Sequence, residues 1–201
     1  MNITPGYDKA AAYDGSNEKL PAGGYICRIM KAWVETTQSG VELFALALEI
    51  SEGEYAGFFG KQFSSRKTNN PNAVWPCIYK TLTLNREGQT NPFFKGMLKC
   101  IEDSNTGYVW NWQEASLHNK TIGMIFREEE FEAPDGSVRV SIKPAFPRNT
   151  QRIRIGVDVP EIKRLNKTPA NNRNASNNPF QNTANKASDF TPYDEKLPWE
   201  L

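Results

Sequence analysis

The sequence predicts a mainly-β protein, in which a small five-stranded barrel with an inserted helical segment precedes a disordered C-terminal tail. Three observations lead to this prediction. Short runs of aliphatic and aromatic residues alternate with Gly, Pro and Asn turn signals over residues 20–162. One run near residue 92 has helical spacing instead. From residue 163 the chain is rich in Asn and nearly free of aliphatics, so it cannot bury enough apolar surface to offset its ordering entropy.

The chain divides on this basis into four segments. Its 201 residues suit one domain with some additional length. Turn pairs such as Pro5-Gly6 mark an extended arm at the N-terminus. The predicted bounds are 1–19 for this arm, 20–162 for the barrel domain, 163–188 for a disordered Asn-rich linker and 189–201 for a C-terminal tip.

The first half of the barrel domain is predicted to be three strands joined by short loops. A first strand is expected over Tyr25–Val34, after the turn signal at Leu20–Gly24, and a second over the apolar run Val41–Ile50. Residues 52–57 contain two glycines and predict a turn. We therefore expect a third strand over Phe58–Ser65.

The second half is predicted to be helical first and then a hairpin. Apolar positions in Val74–Leu84 fall partly at helical intervals, and Pro92 suits the first turn of a second helix with an amphipathic pattern. A fourth strand is expected over Asn119–Arg127, and the Asp135-Gly136 hairpin signal leads into a fifth over Val138–Phe146. Five strands with a helix between the third and fourth is the order of the OB-fold, although many five-stranded α+β domains share that order.

The composition argues against membrane, secreted and catalytic classes. No run approaches the roughly 18–20 apolar residues of a membrane span, and the N-terminus lacks the regions of a signal peptide, so we expect a cytoplasmic protein without a membrane partner. The three cysteines are far apart, and His118 is the only histidine. Consecutive acids in Glu128–Glu130 would point to opposite faces of a strand. We therefore predict no metal, no cofactor and no enzymatic activity.

Charge and aromatic content point to a nucleic acid. The net charge is only +1, but the last thirteen residues carry four acids and one base, which leaves the rest of the chain at +4. The segment from Arg139 to Val157 contains five basic residues and no acid, which suits phosphate binding, although a solvated strand face would give the same pattern. Rings beside basic residues suit base stacking. The candidate DNA contacts are Lys61, Arg66, Lys67, Arg139, Lys143, Arg148, Arg152 and Arg154 for phosphates, with Trp33, Phe59, Phe63, Trp75 and Phe146 for bases.

The C-terminal tip combines acids with a Leu-Pro-aromatic cluster. Such a peptide can place an aromatic ring in a pocket while its carboxylates meet a basic rim. The linker before it gives a reach on the order of 30 Å by random-coil scaling. The predicted partner-binding residues are Asp189, Asp194, Glu195, Leu197, Pro198 and Trp199.

Two stretches resemble known families. The ending Asp194-Glu195-Lys196-Leu197-Pro198-Trp199 is similar to the acidic tip of bacterial single-stranded DNA-binding proteins, with Trp in place of the usual Phe, a Lys among the acids and two further residues at the end. In that family the tip recruits replication and repair enzymes, and a polar linker joins it to an OB domain. The runs at residues 20–29 and 46–59 resemble the phage early proteins grouped as DUF669, which are suspected single-strand binders.

Together these features predict sequence-independent binding of single-stranded DNA in phage replication or recombination, with the tip recruiting replication or recombination proteins in the host cytoplasm. The alternative is a replisome or recombination adaptor that binds proteins rather than DNA, which the near-zero net charge favours. A homo-oligomer is compatible with either hypothesis.

Overall fold

A computed structural model describes residues 4–9 and 19–165 of the chain. Most of the predicted arm, the linker beyond Leu165 and the whole predicted tip lie outside the described residues. The last described segment is part of the domain, because Lys163 forms a parallel bridge with Glu129 and its N–H donates to the Glu128 carbonyl at 2.9 Å. The segment around Lys163 therefore lies against the strand Thr121–Glu132.

The core element is one antiparallel sheet of five strands, in the order β3-β2-β1-β4-β5. Four of the five predicted strands are confirmed, each with bounds shifted by a few residues. The strands are β1 (Gly23–Thr36), β2 (Glu42–Ile50), β3 (Ile78–Leu82), β4 (Thr121–Glu132) and β5 (Val138–Arg148).

Three helices accompany the sheet, together with short 3-10 turns at Tyr7–Lys9 and Glu114–Leu117. The predicted amphipathic helix is confirmed: Pro92 is in its first turn, and the Asn91 side chain caps it by accepting from the Phe93 N–H at 2.8 Å. The helices are α1 (Phe58–Asn69), α2 (Pro92–Ser104) and α3 (Thr150–Ile155).

The predicted third strand at Phe58–Ser65 is wrong, because this segment is α1. The left-handed Gly57 (φ 76°) turns the chain into the helix. The buried Glu49 carboxylate then accepts hydrogen bonds from the N–H groups of Phe59 at 3.0 Å and Gly60 at 2.5 Å. These are two of the first-turn N–H groups that have no acceptor within the helix itself. The third strand is β3 instead, within the run predicted to be helical, where Tyr79 and Thr81 alternate with more exposed neighbours.

The sheet is open, so the predicted barrel is not closed. Its edge strands β3 and β5 approach within 8 Å between Cα atoms, but no hydrogen-bonded ladder joins them in the described part of the chain. On β5, Pro144 and Pro147 pair opposite Phe126 and Met124 of β4. Prolines lack an N–H donor and are tolerated on edge strands where that position faces away from the partner. We call the gap between β3 and β5 the seam.

The core lies on the inner face of the curled sheet and is closed by the helices. Phe44, Leu48 and Phe126 are among its fully buried side chains, each stabilising the fold by roughly 1.5–3 kcal/mol. At one end Phe59 of α1 stacks on Phe126 with centroids 5.8 Å apart, and Phe94 of α2 contacts Phe44 at 5.2 Å. In residues 4–9 and 19–165, no helix is long and apolar enough to cross a membrane.

Candidate nucleic-acid interface

The hairpin of β4 and β5 places several predicted contact residues on one face. Its register pairs Arg127 with Lys143, and no shift occurs between that pair and Arg139 near the turn. A bulge then brings Phe146 opposite Ile125. Because directly paired residues of a sheet share a face, these four side chains project from the same side of the hairpin.

An aromatic ring with two guanidinium groups against it lies at the centre of this face. The Arg127 and Arg148 Cζ atoms are 5.4 and 5.9 Å from the Phe146 ring centroid. Arg127 also pairs with Glu129 at 3.1 Å, and only 12 % of its side chain is exposed. Arg127 therefore positions the ring, whereas Arg148 has no ion pair within the described residues and donates to the Pro147 carbonyl at 2.8 Å. Such cation–π contacts are worth about 0.5–2 kcal/mol each and hold planar groups in place before any ligand arrives.

Lys143 extends this face toward the seam. It is exposed, and it has no ion pair among the described residues. Burial raises the pKa of the Cys77 thiol and the Glu49 carboxylate raises it further, while the Lys143 ammonium lowers it. The strand that carries Lys143 approaches β3 within 8 Å between Cα atoms, so Lys143 lies on the β5 side of the seam.

A second group of rings and cations occupies that side of the seam. Phe63 of α1 contacts Trp75 with centroids 5.2 Å apart, and the Lys67 Nζ lies 5.6 Å from the Phe63 centroid. The Trp75 indole N–H donates to the Leu48 carbonyl at 2.8 Å, which fixes the ring beside β2. Lys67 and Arg66 also suit the negative end of the α1 dipole.

The two groups of rings and cations lie on opposite sides of the seam, and we call them together the seam surface. Trp75 is three residues before the start of β3, the strand across the seam from Lys143. The seam surface comprises Phe63, Arg66, Lys67, Trp75, Lys143, Phe146 and Arg148.

Several predicted DNA contacts lie outside the seam surface or have their charge paired with an acid. Phe59 is only 7 % exposed and belongs to the core, so it cannot stack on a base. Trp33 lies on β1, where its indole N–H donates to Glu35 at 3.3 Å. Arg139 pairs with Asp135 at 2.6 Å, and Arg154 with Glu52 at 2.9 Å. Two further predicted cations are exposed and free of ion pairs within the described chain, on α1 and α3 respectively: Lys61 and Arg152.

Arg127 contacts the Phe146 ring of the seam surface but is absent from the predicted contacts, because three acids follow it directly. The signal that could have found it is the Asp135-Gly136 turn. If residues are paired outward from this hairpin turn, one on each strand, Arg127 is opposite Lys143, as in the observed register.

The neighbouring acids do not converge on one point. Glu129 pairs with Arg127, while Glu130 accepts the Leu165 N–H at 3.1 Å. No group of three or more His, Cys, Asp or Glu residues is arranged to hold a metal ion within residues 4–9 and 19–165.

The sequence was compared with known proteins for an independent indication of function. No protein-family model and no curated protein matches it. The family resemblances stated above therefore stay predictions.

Proposed function

We propose that this chain binds single-stranded DNA without sequence preference and acts in phage DNA replication or recombination. The observation that carries the proposal is the seam surface, in which aromatic rings and cations without ion pairs occur on both sides of the gap between the two edge strands. Non-specific single-strand binding requires these two ingredients: cations that follow the backbone and π-faces on which successive bases stack.

The roles divide by chemistry. Lys143, Arg148 and Lys67 neutralise phosphates, which supplies most of the affinity and makes it depend on salt. The rings of Trp75 and Phe63 accept bases by stacking, at roughly 1–3 kcal/mol for each base. The Arg148 guanidinium, held against Phe146, offers a further plane on which a base can stack.

The strand order supports the proposal at the level of fold. β1 pairs with β2 and β4, and α2 lies between β3 and β4. The same strand neighbours are expected in an OB-fold, although its barrel is more nearly closed than this open sheet, and OB-folds bind oligonucleotides. Fold analogy alone does not establish an activity, so it adds to the argument from the seam residues without replacing it.

In the same proposal the C-terminal tip recruits replication or recombination proteins in the host cytoplasm. Its residues lie outside the described part of the chain, so this step depends on the sequence alone: acids next to Leu197-Pro198-Trp199. A pocket lined by basic residues on the partner would recognise such a peptide.

The first experiment is a titration of the full chain with oligo-dT at two salt concentrations, in which binding is monitored by tryptophan fluorescence. We expect quenching, with an affinity that falls steeply as salt rises. Absence of quenching and of binding at low salt would refute the proposal.

Charge-removing variants test the surface itself. Lys143→Gln and Arg148→Gln should each reduce the slope of log affinity against log salt by about 1. Arg139→Gln is the matched control on the same strand. Its guanidinium is already paired with Asp135, so its removal should change the slope less. Equal slopes for all three variants and the parent would place the DNA elsewhere.

The alternative is an adaptor that binds proteins rather than DNA. One observation favours it: the β4–β5 hairpin exposes apolar side chains at Phe131 (41 %), Val138 (42 %) and Val140 (51 %). Exposed apolar groups on a projecting hairpin suit a protein partner or a second copy of the chain. A negative oligo-dT titration, with retained binding of a replication protein, would select this function.

A further inference from the structure

An open groove of about 340 Å³ lies on the other side of α2, between that helix and the loop at residues 107–113. Its apolar walls include Phe94, Leu98, Trp110 and Trp112, and its rim includes Lys95 and Lys99. None of these residues belongs to the seam surface.

Trp112 is exposed to solvent and is not packed in the core. Its side chain is 74 % exposed, among the highest values for large apolar residues in the described chain, and its backbone is left-handed with φ 64°. A positive φ is an outlier for a bulky residue and indicates strain held by the surroundings. Here the Asn111 Oδ1 accepts the Gln113 N–H at 3.2 Å and the Ser116 hydroxyl at 2.9 Å, which fixes the turn around the exposed indole.

Trp110 forms the fixed wall of the groove. Its ring packs edge-on against Phe44 with centroids 5.9 Å apart, and its backbone N–H donates to the Glu102 carboxylate at 2.9 Å. The centroid of Trp112 is 6.2 Å away, with the ring planes inclined at 53°. One indole is thus anchored in the core, while the other presents an open face beside it.

The rim of the groove is suited to an anion. Lys95 is exposed and has no ion pair within residues 4–9 and 19–165. Lys99 pairs with Asp103 at 2.6 Å, but 67 % of its side chain remains exposed. The Glu102 carboxylate also lines the groove and is held by the Trp110 N–H, which leaves Lys95 as the rim cation without an ion pair in the described part of the chain.

The groove adjoins the seam surface through α2. The strand that ends at Arg148, β5, packs against α2. Lys99 of the same helix lines the groove. The helix that lines the groove therefore also contacts the strand that carries Arg148.

We propose that the Trp110–Trp112 groove binds one unstacked base of a single-stranded nucleic acid, with the base on the Trp112 ring and its phosphate at Lys95. This inference rests on the proposed function and deepens it: the bound DNA strand leaves the seam surface at Arg148, passes over α2 and ends in the groove. The charge of Lys95 and the open π-face of Trp112 match a nucleotide, whereas an uncharged apolar ligand would leave the rim cations unused.

The strain at Trp112 supplies a test that separates binding from folding. Trp112→Gly removes the ring and suits a positive φ, so the variant should be at least as stable as the parent in thermal unfolding. Its affinity for oligo-dT should nonetheless fall by roughly 5- to 150-fold, the loss of one stacked base, and fewer nucleotides should be occluded by each bound protein. Trp112→Phe keeps a ring and should retain most of the affinity.

Three results would overturn the inference. If Trp112→Gly binds oligo-dT with the affinity and site size of the parent, the groove does not contribute to binding, whereas the proposal for the seam surface is unaffected. Failure of the parent chain itself to bind would remove the proposed function and the groove together. Binding of a peptide of residues 189–201, detected as a change in emission that Trp112→Phe abolishes, without any oligo-dT effect at this position, would assign the groove to the acidic tip instead.

Discussion

Glu49 holds α1 in place, and replacing it by Gln is the sharpest test of how this fold forms. The carboxylate is 5 % exposed and accepts three backbone N–H groups: Ile50 and Phe59 at 3.0 Å and Gly60 at 2.5 Å. Two of these donors belong to the first turn of α1, where the helix dipole also favours a negative charge.

The expected cost follows from the number of bonds lost. A Gln side chain keeps one acceptor oxygen and presents an NH₂ group to the other donors, so at least one buried N–H loses its partner. A hydrogen bond to a charged group is worth about 1.5–3 kcal/mol, and the loss of the favourable charge at the helix N-terminus adds about 0.3–1 kcal/mol. We therefore expect Glu49→Gln to lower the free energy of unfolding by about 2–4 kcal/mol, which is roughly 4–16 °C in Tm for a domain of this size.

Urea unfolding and thermal melts followed by circular dichroism measure this change. Glu52→Gln is the matched control, because the Glu52 side chain is 50 % exposed in its pair with Arg154 and should contribute less than about 1 kcal/mol. If the two variants have equal free energies of unfolding, the carboxylate is not what fixes the N-terminus of α1.

Two further predictions concern packing and pH. Gly123→Ala should destabilise the protein by about 1–3 kcal/mol in urea unfolding, because the added Cβ would lie 2.5 Å from Ile153 Cγ1 on α3. Gly96→Ala on α2 is the control: its Cβ would meet nothing within 4 Å, so this variant should be more stable than the parent by about 0.5–1 kcal/mol. If Gly96→Ala were the less stable of the two variants, the placement of α3 would be wrong. Hydrogen bonds from the Ser137 hydroxyl and N–H lower the pKa of Asp135, so its contribution to stability is present above the ordinary Asp pKa of about 4 and is lost as pH falls below it. Asp135→Asn should then make stability less dependent on pH in that acidic window, as measured by urea unfolding at a series of pH values, and an unchanged dependence would argue against these hydrogen bonds.

The elements predicted correctly carry local signals. The cap at Asn91 with Pro92 begins α2, and the Asp135-Gly136 turn sets the β4–β5 hairpin. In each case the decisive residues are neighbours in the chain, so a single sequence contains the whole signal.

The misassignment of α1 has the opposite cause. Phe58–Ser65 follows the turn signal at residues 52–57 and begins with two aromatic residues, a type enriched in strands, while α1 has no capping side chain of its own at Gly57. Its cap is Glu49, ten residues earlier on β2, and an acid on an apolar strand gives no sign that it will be buried against a helix. Tertiary context overrides the local pattern here, as it often does for segments with weak propensity.

The candidate interface was predictable in kind but not in detail. Clustered cations in Arg139–Val157 were visible in the sequence, yet their pairing depends on distant acids: Arg154 meets Glu52 across 102 positions. Burial of Phe59 likewise follows from α1 packing on Phe126. Which cations stay uncompensated, and which rings stay accessible, is decided by contacts that no local pattern encodes.

The open seam connects the fold to the proposed function. A ladder between β3 and β5 would need N–H donors on the outer edge of β5, but Pro144 and Pro147 supply none, and β3 has only five residues with which to pair. An unpaired edge invites pairing with other chains unless charges or prolines discourage it, and this edge has both, with Lys143 beside Pro144. The same residues that keep the sheet from closing or aggregating therefore leave a charged, ring-lined edge accessible, which is what a single-stranded ligand needs.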